Sequence, residues 1–289
     1  MTVKTVKVFQ KGFNFSQDGP GNRLVIHLQG CNMHCPWCSN PEGMAINGAI
    51  LNSAVLIDST CPHGAIGDGK INRKLCSDCF KKECLGSYGA PTLSYTEYTV
   101  EGLIDEIMRC EPMFFDGGGV TFTGGEATVQ FSALKELLTR LKALGINTAL
   151  ETNATDKRLP ELFDSVDFLI TDIKHYDSER HRMATGVSNS IITENIRCAA
   201  KKRTQLLIRI PLIKSFNCAE GDEIGFANLL SELCTDSCSV ELLRYHEYGK
   251  DKWTKCGMEY KMQDGFIDDE TYSKVKKALT DKGINVINT

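Results

Sequence analysis

Apolar positions recur along most of this chain with two different periods, and the switches between them mark its elements. Val100, Leu103, Ile104, Ile107 and Met108 fall at i, i+3, i+4, i+7 and i+8, one face of an amphipathic helix for which Thr99 can serve as N-cap. Leu134, Leu137, Leu138, Leu141 and Leu144 form a second such face, with Gly145 where a helix end favours glycine. Short apolar and β-branched runs read as strands at residues 2–9, 23–28, 120–123, 146–151, 167–173, 205–210, 239–243 and 285–287. Further helices are expected at 159–163, 191–202, 224–233 and 270–279.

A strand followed by a helix, repeated with short connections, predicts parallel strands joined by right-handed crossovers. From the strand at 23–28 onward there are six βα units, enough for an open doubly wound sheet or an incomplete barrel. Polar residues at the strand ends bear on the choice. The strands run out in turn into Cys31, Cys35 and Cys38, then Gly124-Gly125-Glu126, Glu151-Thr152-Asn153, Asp172-Ile173-Lys174, Arg209, and Tyr245-His246. In parallel α/β folds that edge binds ligands, and a barrel gathers its loops into one ring. The expected fold is therefore α/β, a partial (β/α)6 TIM-like barrel.

The regular pattern breaks between residue 40 and about residue 98, where periodicity is poor, glycine is frequent and four cysteines appear. Residues 1–43 and 97–289 are expected to form the barrel and residues 44–96 an inserted cysteine-rich module.

Composition narrows the setting. With 289 residues and 42% hydrophobic content the chain can bury a sizeable core, and a net charge of -4 gives no basic footprint for nucleic acid. No apolar run is long enough to span a bilayer, and the start, Met1-Thr2-Val3-Lys4, has no apolar signal region, so a soluble cytoplasmic protein with no membrane partner is expected. Thirteen cysteines, an odd number, argue for thiolate ligands in a reducing compartment over a disulfide framework.

Cys31, Cys35 and Cys38 are spaced C-x3-C-x2-C on a loop directly after a strand. Three thiolates can converge on one face of a cluster, one ligand short of a closed zinc or four-cysteine site. On a [4Fe-4S] cluster that shortfall leaves one iron open to a small molecule, as in catalytic metal centres. Zinc completed by His34 or a remote ligand, and unligated thiols, are the alternatives.

The other clusters have structural as well as functional readings. Gly124 and Gly125 would let a ligand approach the backbone, and Glu126 could accept from an ammonium. Asp172 and Lys174, two apart on a strand, share a face and make either a site or an ion pair. Arg209 sits in an apolar strand, where a charge needs a partner, either a ligand carboxylate or Asp172. His246 alone reads more simply as a satisfied core histidine.

Residues 18–43, DGPGNRLVIHLQGCNMHCPWCSNPEG, with GGGVTFTGGEATVQ at 117–130, LETN at 150–153, DIKH at 172–175 and RYHEYGKDKW at 244–253, together resemble radical S-adenosylmethionine (SAM) enzymes of the glycyl radical enzyme activating type, as in pyruvate formate-lyase activation. The resemblance implies that Cys31, Cys35 and Cys38 hold the SAM cluster, that Trp37 lies by the adenine, and that Gly124, Gly125 and Glu126 meet the methionyl amino group. Glu151, Thr152 and Asp172 resemble positions around a monovalent cation near the SAM carboxylate. Ser39, Asn153 and Ile173 adjoin these positions, and Lys174, Arg209 and His246 match SAM-contacting ones. Two residues depart from the pattern: Glu151 stands where it has aspartate, and Ser39 where histidine usually follows the third cysteine.

The implied reaction is one-electron reduction of the cluster, cleavage of SAM to methionine and a 5′-deoxyadenosyl radical, and removal of an α-hydrogen from a glycine of a partner enzyme. The implied partners are a glycyl radical enzyme and an electron donor such as flavodoxin or ferredoxin. No side chain beyond the cluster and SAM need be catalytic. A radical SAM enzyme acting on a small molecule or peptide is the alternative. In the insert, Cys61-Pro62 and the group Cys76, Cys79 and Cys84 supply one four-cysteine set, expected to hold a second, ferredoxin-like iron–sulfur cluster, with zinc or no metal as alternatives.

Overall fold

The computed structural model describes residues 3–53, 56–57, 61–79, 84–202, 205–234 and 237–288. Its main sheet is built from β1 (Thr5–Phe15), β2 (Asn22–Leu28), β3 (Thr96–Thr99), β4 (Gly119–Gly124), β5 (Thr148–Thr152), β6 (Phe168–Asp172), β7 (Gln205–Leu212), β8 (Cys238–Arg244) and β9 (Val286–Ile287). The spatial order is β9-β8-β7-β6-β5-β4-β2-β1-β3. From β2 through β9 every pairing is parallel, while β1 pairs antiparallel with β2 and β3 with β1.

That order decides the question periodicity left open. A doubly wound sheet reverses its strand order at a switch point, whereas here β2, β4, β5, β6, β7 and β8 follow one another without reversal. Right-handed crossovers taken always in one direction put all the helices on one face and leave the other concave. The result is six parallel barrel strands, β2 and β4 to β8, with the short β9 parallel at the edge of a barrel that stays open among the described residues.

The expected helices form as α1 (Val100–Arg109), α2 (Phe131–Ala143), α4 (Ser190–Lys201), α5 (Asp222–Leu233) and α6 (Asp269–Asp281). An additional α3 (Ser178–Thr185) precedes α4, and residues Leu159–Ser165 form a 3-10 helix. Thr99 caps α1 as expected, accepting from Gly102 N at 3.0 Å. Leu144 departs from the expectation. It lies just past the last turn of α2 and is exposed, while Leu134, Leu137, Leu138 and Leu141 are fully buried.

The outer layer of the core alternates along each strand. Leu24, Ile26 and Leu28 of β2, Val120 and Phe122 of β4, and Leu206, Ile208 and Ile210 of β7 pack under the helices. Strand residues two apart share a face, so Arg23, Val25 and His27, Thr121 and Thr123, Glu151, Arg209 and Glu241 face the concavity. The concave face is thus largely polar.

Residues of the insert form small ladders, Ile50–Leu51 with Thr92–Leu93 and Ile66–Gly67 with Lys70–Ile71, and a short helix at Arg73–Asp78. They pack on their own small core of Ile50, Ala65 and Cys76.

Candidate active site

The floor of the concavity is a turn. Residues 16–21 fold up under the barrel, where Asp18 O accepts from Thr121 Oγ1 at 2.7 Å. Arg23, fully buried, donates to Thr121 Oγ1 at 2.8 Å, Asn147 Oδ1 at 2.9 Å and Val120 O at 2.8 Å. Above it Arg209 donates through Nε to Glu241 at 2.9 Å, through Nη1 to Glu151 at 2.7 Å and through Nη2 to the Gln17 carbonyl. Arg209 therefore pairs with two glutamates and not with Asp172. It is not among the residues that line the cavity described next.

Over this floor, at the C-terminal edge of the strands, opens a cavity of about 560 Å3. Cys31, Cys35 and Cys38 line it together with Trp37, Ser39, Gly124, Gly125, Glu126, Glu151, Thr152, Asn153, Asp172, Lys174 and His246. Tyr245, of the strand-end pair Tyr245-His246, lines it too, as do Gln17, Asp18, His27, Thr123 and Tyr248, which were not foreseen, although the alternation of β2 already placed His27 on the inner face. Ile173 does not line it. Its side chain points the other way into the helix-covered core, as strand alternation requires.

The two glycines serve close backbone packing. A Cβ on Gly125 would fall 2.4 Å from the carbonyl oxygens of both Gly30 and Gly43, and one on Gly124 would fall 2.3 Å from Leu28 N. The Cβ positions are filled by backbone, so Gly124 lets β4 lie close against β2 and Gly125 seats the cysteine loop on β4, while both glycines still line the cavity. Glu126 is buried and heavily engaged. Its Oε1 accepts from Thr152 Oγ1 and Thr128 Oγ1, each at 2.6 Å, and from Thr128 N at 3.0 Å, while Oε2 accepts from Asn153 N at 2.6 Å. Burial nonetheless raises its pKa above the ordinary carboxylate value, the four hydrogen bonds opposing.

The cysteine loop is anchored on three sides. Asn153 Nδ2 donates to Asn32 Oδ1 at 2.9 Å, His34 N donates to Thr185 O at 3.0 Å, and Trp253 Nε1 donates to Cys38 O at 2.9 Å. Asn40 N donates to Cys38 Sγ and Met33 N to Cys31 Sγ, both at 3.4 Å. Burial pushes all three thiols up to about 12, opposed at each by Lys174. Such thiols ionise when an electropositive group displaces the proton, and amide donors to sulfur suit a thiolate ligand, so the set fits an iron–sulfur cluster. Each thiolate of a cubane meets a different iron, so the sulfurs need no common single-ion point. Among the described residues, no three His, Cys, Asp or Glu side chains share one.

Around the rest of the wall, Lys174 Nζ donates to Asp172 Oδ2 at 2.8 Å, the ion-pair reading of that spacing. Trp37 is half-buried and packs against Phe216 with ring centroids 4.7 Å apart. His246 is no core histidine: it is exposed at the rim and stacks on Tyr248 at 4.3 Å.

In the insert, Cys61 and Cys76 share the small core, and Ala65 N donates to Cys61 Sγ at 3.2 Å. Cys79 ends the helix Arg73–Asp78, and Cys84 opens a turn closed by Ser87 N. Residues 80–83, between them, lie outside the described residues.

Residues 25–224 match the Radical SAM superfamily. The 4-hydroxyphenylacetate decarboxylase activating enzyme of Clostridioides difficile (strain 630) is 34% identical, the match covering 92% of this chain and 90% of that relative. The isethionate sulfite-lyase activating enzyme of Nitratidesulfovibrio vulgaris is also 34% identical, with 91% of each chain covered. The crystal structure of a radical SAM methyltransferase from Sphaerobacter thermophilus superposes with a TM-score of 0.58 at 12% identity, over 98% of this chain and 72% of that one, which shows the shared fold alone. Three thiols facing strand-end polar groups in one barrel mouth, a family match across most of the barrel and relatives similar over nearly their whole length agree: the chain belongs to the radical SAM superfamily, among its glycyl radical enzyme activating enzymes.

Proposed function

We propose that this chain installs a radical on one glycine of a partner enzyme, using SAM and a [4Fe-4S] cluster held by Cys31, Cys35 and Cys38. The observation that carries this reading is the cavity in which those thiols face Glu126, Asp172, Lys174 and Trp37. Cluster and SAM, when bound, supply the radical by one-electron cleavage of SAM to methionine and a 5′-deoxyadenosyl fragment that takes the glycine α-hydrogen. The electron comes from a donor of the flavodoxin or ferredoxin class.

The side chains orient and shield. A carboxylate oxygen accepts more than one hydrogen bond, so Glu126 Oε2, with one protein donor, has capacity left for the methionyl ammonium. Lys174 offers charge to the methionyl carboxylate, and Trp37, braced by Phe216, offers a face to the adenine. Thr152, Asn153 and Ser39 add hydrogen-bonding groups on the same wall. Holding SAM in one pose in a pocket closed from below by residues 16–21 lowers the entropic part of the barrier and keeps water from the radical. A monovalent cation beside Glu151 and Asp172 is not favoured, because Arg209 and Lys174 already lie 2.7 and 2.8 Å from them. Among the described residues no helix is long and apolar enough to cross a membrane, and the net charge is -4; a cytoplasmic setting is part of this proposal.

The test is anaerobic. Reduced holoprotein with SAM and a glycyl radical enzyme from the same organism should yield one 5′-deoxyadenosine for each glycyl radical counted by electron paramagnetic resonance. Deoxyadenosine formed with no radical on any such partner would point to a small-molecule or peptide substrate. The two relatives are named for different partner enzymes, so the partner here is to be identified by that assay.

The same reading places a ferredoxin-like module at residues 44–96, with a second cluster on Cys61, Cys76, Cys79 and Cys84. Two of these cysteines in one small core, with an amide donor to Cys61 sulfur, support it. Iron and labile sulfide analysis should find about eight of each per chain, against about four for the SAM cluster alone. Four irons accompanied by one zinc would overturn the second cluster.

A further inference from the structure

The segment at 244–253 singles itself out in the sequence, and although Tyr245, His246, Tyr248 and Lys252 line the cavity, the part played by its last residues is still unassigned. In the fold it forms the short helix Lys250–Lys255, wedged between the cysteine loop and the insert. Trp253 Nε1 donates to Cys38 O at 2.9 Å. Lys252 Nζ donates to Asn40 Oδ1 at 2.7 Å and forms an ion pair with Glu42 at 2.9 Å. Gly249 lies so close that a Cβ there would fall 2.6 Å from Ser39 Cα and 2.8 Å from Cys38 O. The helix thus grips the loop just after its third cysteine, and Asn40 is also the residue whose amide donates to Cys38 sulfur.

On its far side the same helix is tied down. Arg73, from the insert, donates to Lys255 O at 3.1 Å, to Asn52 Oδ1 at 2.6 Å and to Ile50 O at 3.2 Å, and Asn52 N donates to Lys255 O at 2.9 Å. A Cβ on Gly257 would meet the Arg73 guanidinium at 2.2 Å, so the packing there is backbone against guanidinium. One rigid piece therefore touches the insert with one end and the Cys38 loop with the other.

We propose that Lys252 and Trp253 are positioning residues for the SAM cluster: they act through Asn40 and the Cys38 carbonyl to hold the Cys38 thiolate and its amide hydrogen bond in place, with Arg73 of the insert steadying them. The inference rests on the assignment of the cluster to Cys31, Cys35 and Cys38. Hydrogen bonds to cluster sulfur and the partners that orient ligands tune both metal affinity and potential. Losing Lys252 frees Asn40 and Glu42 together. Losing the Trp253 indole N–H leaves the Cys38 carbonyl without this donor.

The experiment uses anaerobically prepared holoprotein carrying Lys252→Met, Trp253→Phe, Lys252→Arg or Arg73→Met. The readouts are the rate of iron release to a chelator, the resonance spectrum of the reduced cluster and its midpoint potential. Lys252→Met and Trp253→Phe should release the SAM-cluster iron about tenfold faster or more, with a shifted spectrum and potential. Lys252→Arg should restore most of the wild-type rate, and Arg73→Met should speed release by a smaller factor. Wild-type release, spectrum and potential in both Lys252→Met and Trp253→Phe would overturn the proposal. A wild-type rate in Arg73→Met would overturn the part given to the insert. If Trp253→Phe fails to fold, Lys252→Met, at a side chain still one-third exposed, decides. Cys35→Ala, run alongside, separates the two readings: if it keeps its full iron, the cluster assignment fails, and if it loses iron while Lys252→Met and Trp253→Phe do not, only this inference does.

Discussion

Cys35→Ala is expected to abolish SAM cleavage while leaving the fold intact. Cys35 is the most enclosed of the three thiols, 7% exposed, and sits between the cavity and the main core. Replacing its sulfur with hydrogen leaves a small void worth about 1 kcal/mol, well within what a domain of this size tolerates. The chemical loss is far larger. Two remaining cysteines give the cluster two protein ligands in place of three, and no neighbouring side chain in the cavity wall offers a thiolate to replace it. Deoxyadenosine production by the reduced variant should fall at least about a thousandfold, to the rate of cluster-free protein. Iron should fall by about four per chain. Circular dichroism should remain that of the wild type, which separates loss of cluster from loss of fold. Turnover near the wild-type rate would show that the loop is not the catalytic centre.

Arg209→Met is expected to produce the largest loss of stability of any single side-chain change on the concave face. The guanidinium pairs with both Glu241, 2.9 Å away, and Glu151, 2.7 Å away, and it also binds the Gln17 carbonyl of the floor. The Arg209 and Glu241 side chains are 8% and 6% exposed, so solvent screens little of the interaction. Its pKa is raised, with burial opposing and the attraction of Glu151 first among the favourable causes. Methionine keeps much of the volume but removes the cation that both carboxylates bind. Breaking a buried pair in this way costs about 3–5 kcal/mol, and urea unfolding of the variant should show a midpoint reduced in proportion. Adding Glu241→Gln to Arg209→Met should recover part of the loss, because one stranded charge is removed. An unfolding midpoint equal to wild type in Arg209→Met would show that the carboxylates find water or another partner.

These two side chains also mark where sequence reading stops. The role of Cys35 is legible from a spacing of a few residues, because three thiolates on a short loop are neighbours whatever the fold does around them. For Arg209, the sequence shows a charge in an apolar strand, which demands a partner, but the candidates it offers are a ligand carboxylate and Asp172. The register of β7 against β8 sets Arg209 beside Glu241, and the parallel path of β5 brings Glu151 across. Asp172 lies beside Arg209 in the ladder too, but Lys174 claims it at 2.8 Å.

Glu126 shows the same limit from the other side. Its place at a strand end made it a candidate for a ligand ammonium, yet two of the donors it meets come from Thr152 and Asn153, groups whose approach depends on how β5 lies against β4. The helix at 250–255 was not anticipated at all. Six residues carry too little periodicity to announce a helix, and its purpose lies in what it touches.

The sequence by itself determined the alternation of strands and helices, the six parallel units, the break at the insert and the three-thiolate chemistry, because each of these is written in local period or local spacing. Only the tertiary structure decided that the strand order never reverses, that residues 16–21 close the barrel from below, and which charges on the concave face neutralise which. It also brought Trp253 to Cys38 across 215 positions and Gln17 to Arg209 across 192. A period tells a residue which face it is on. Whom it meets there depends on strand register and on the path of distant loops, which are settled by packing the whole core at once.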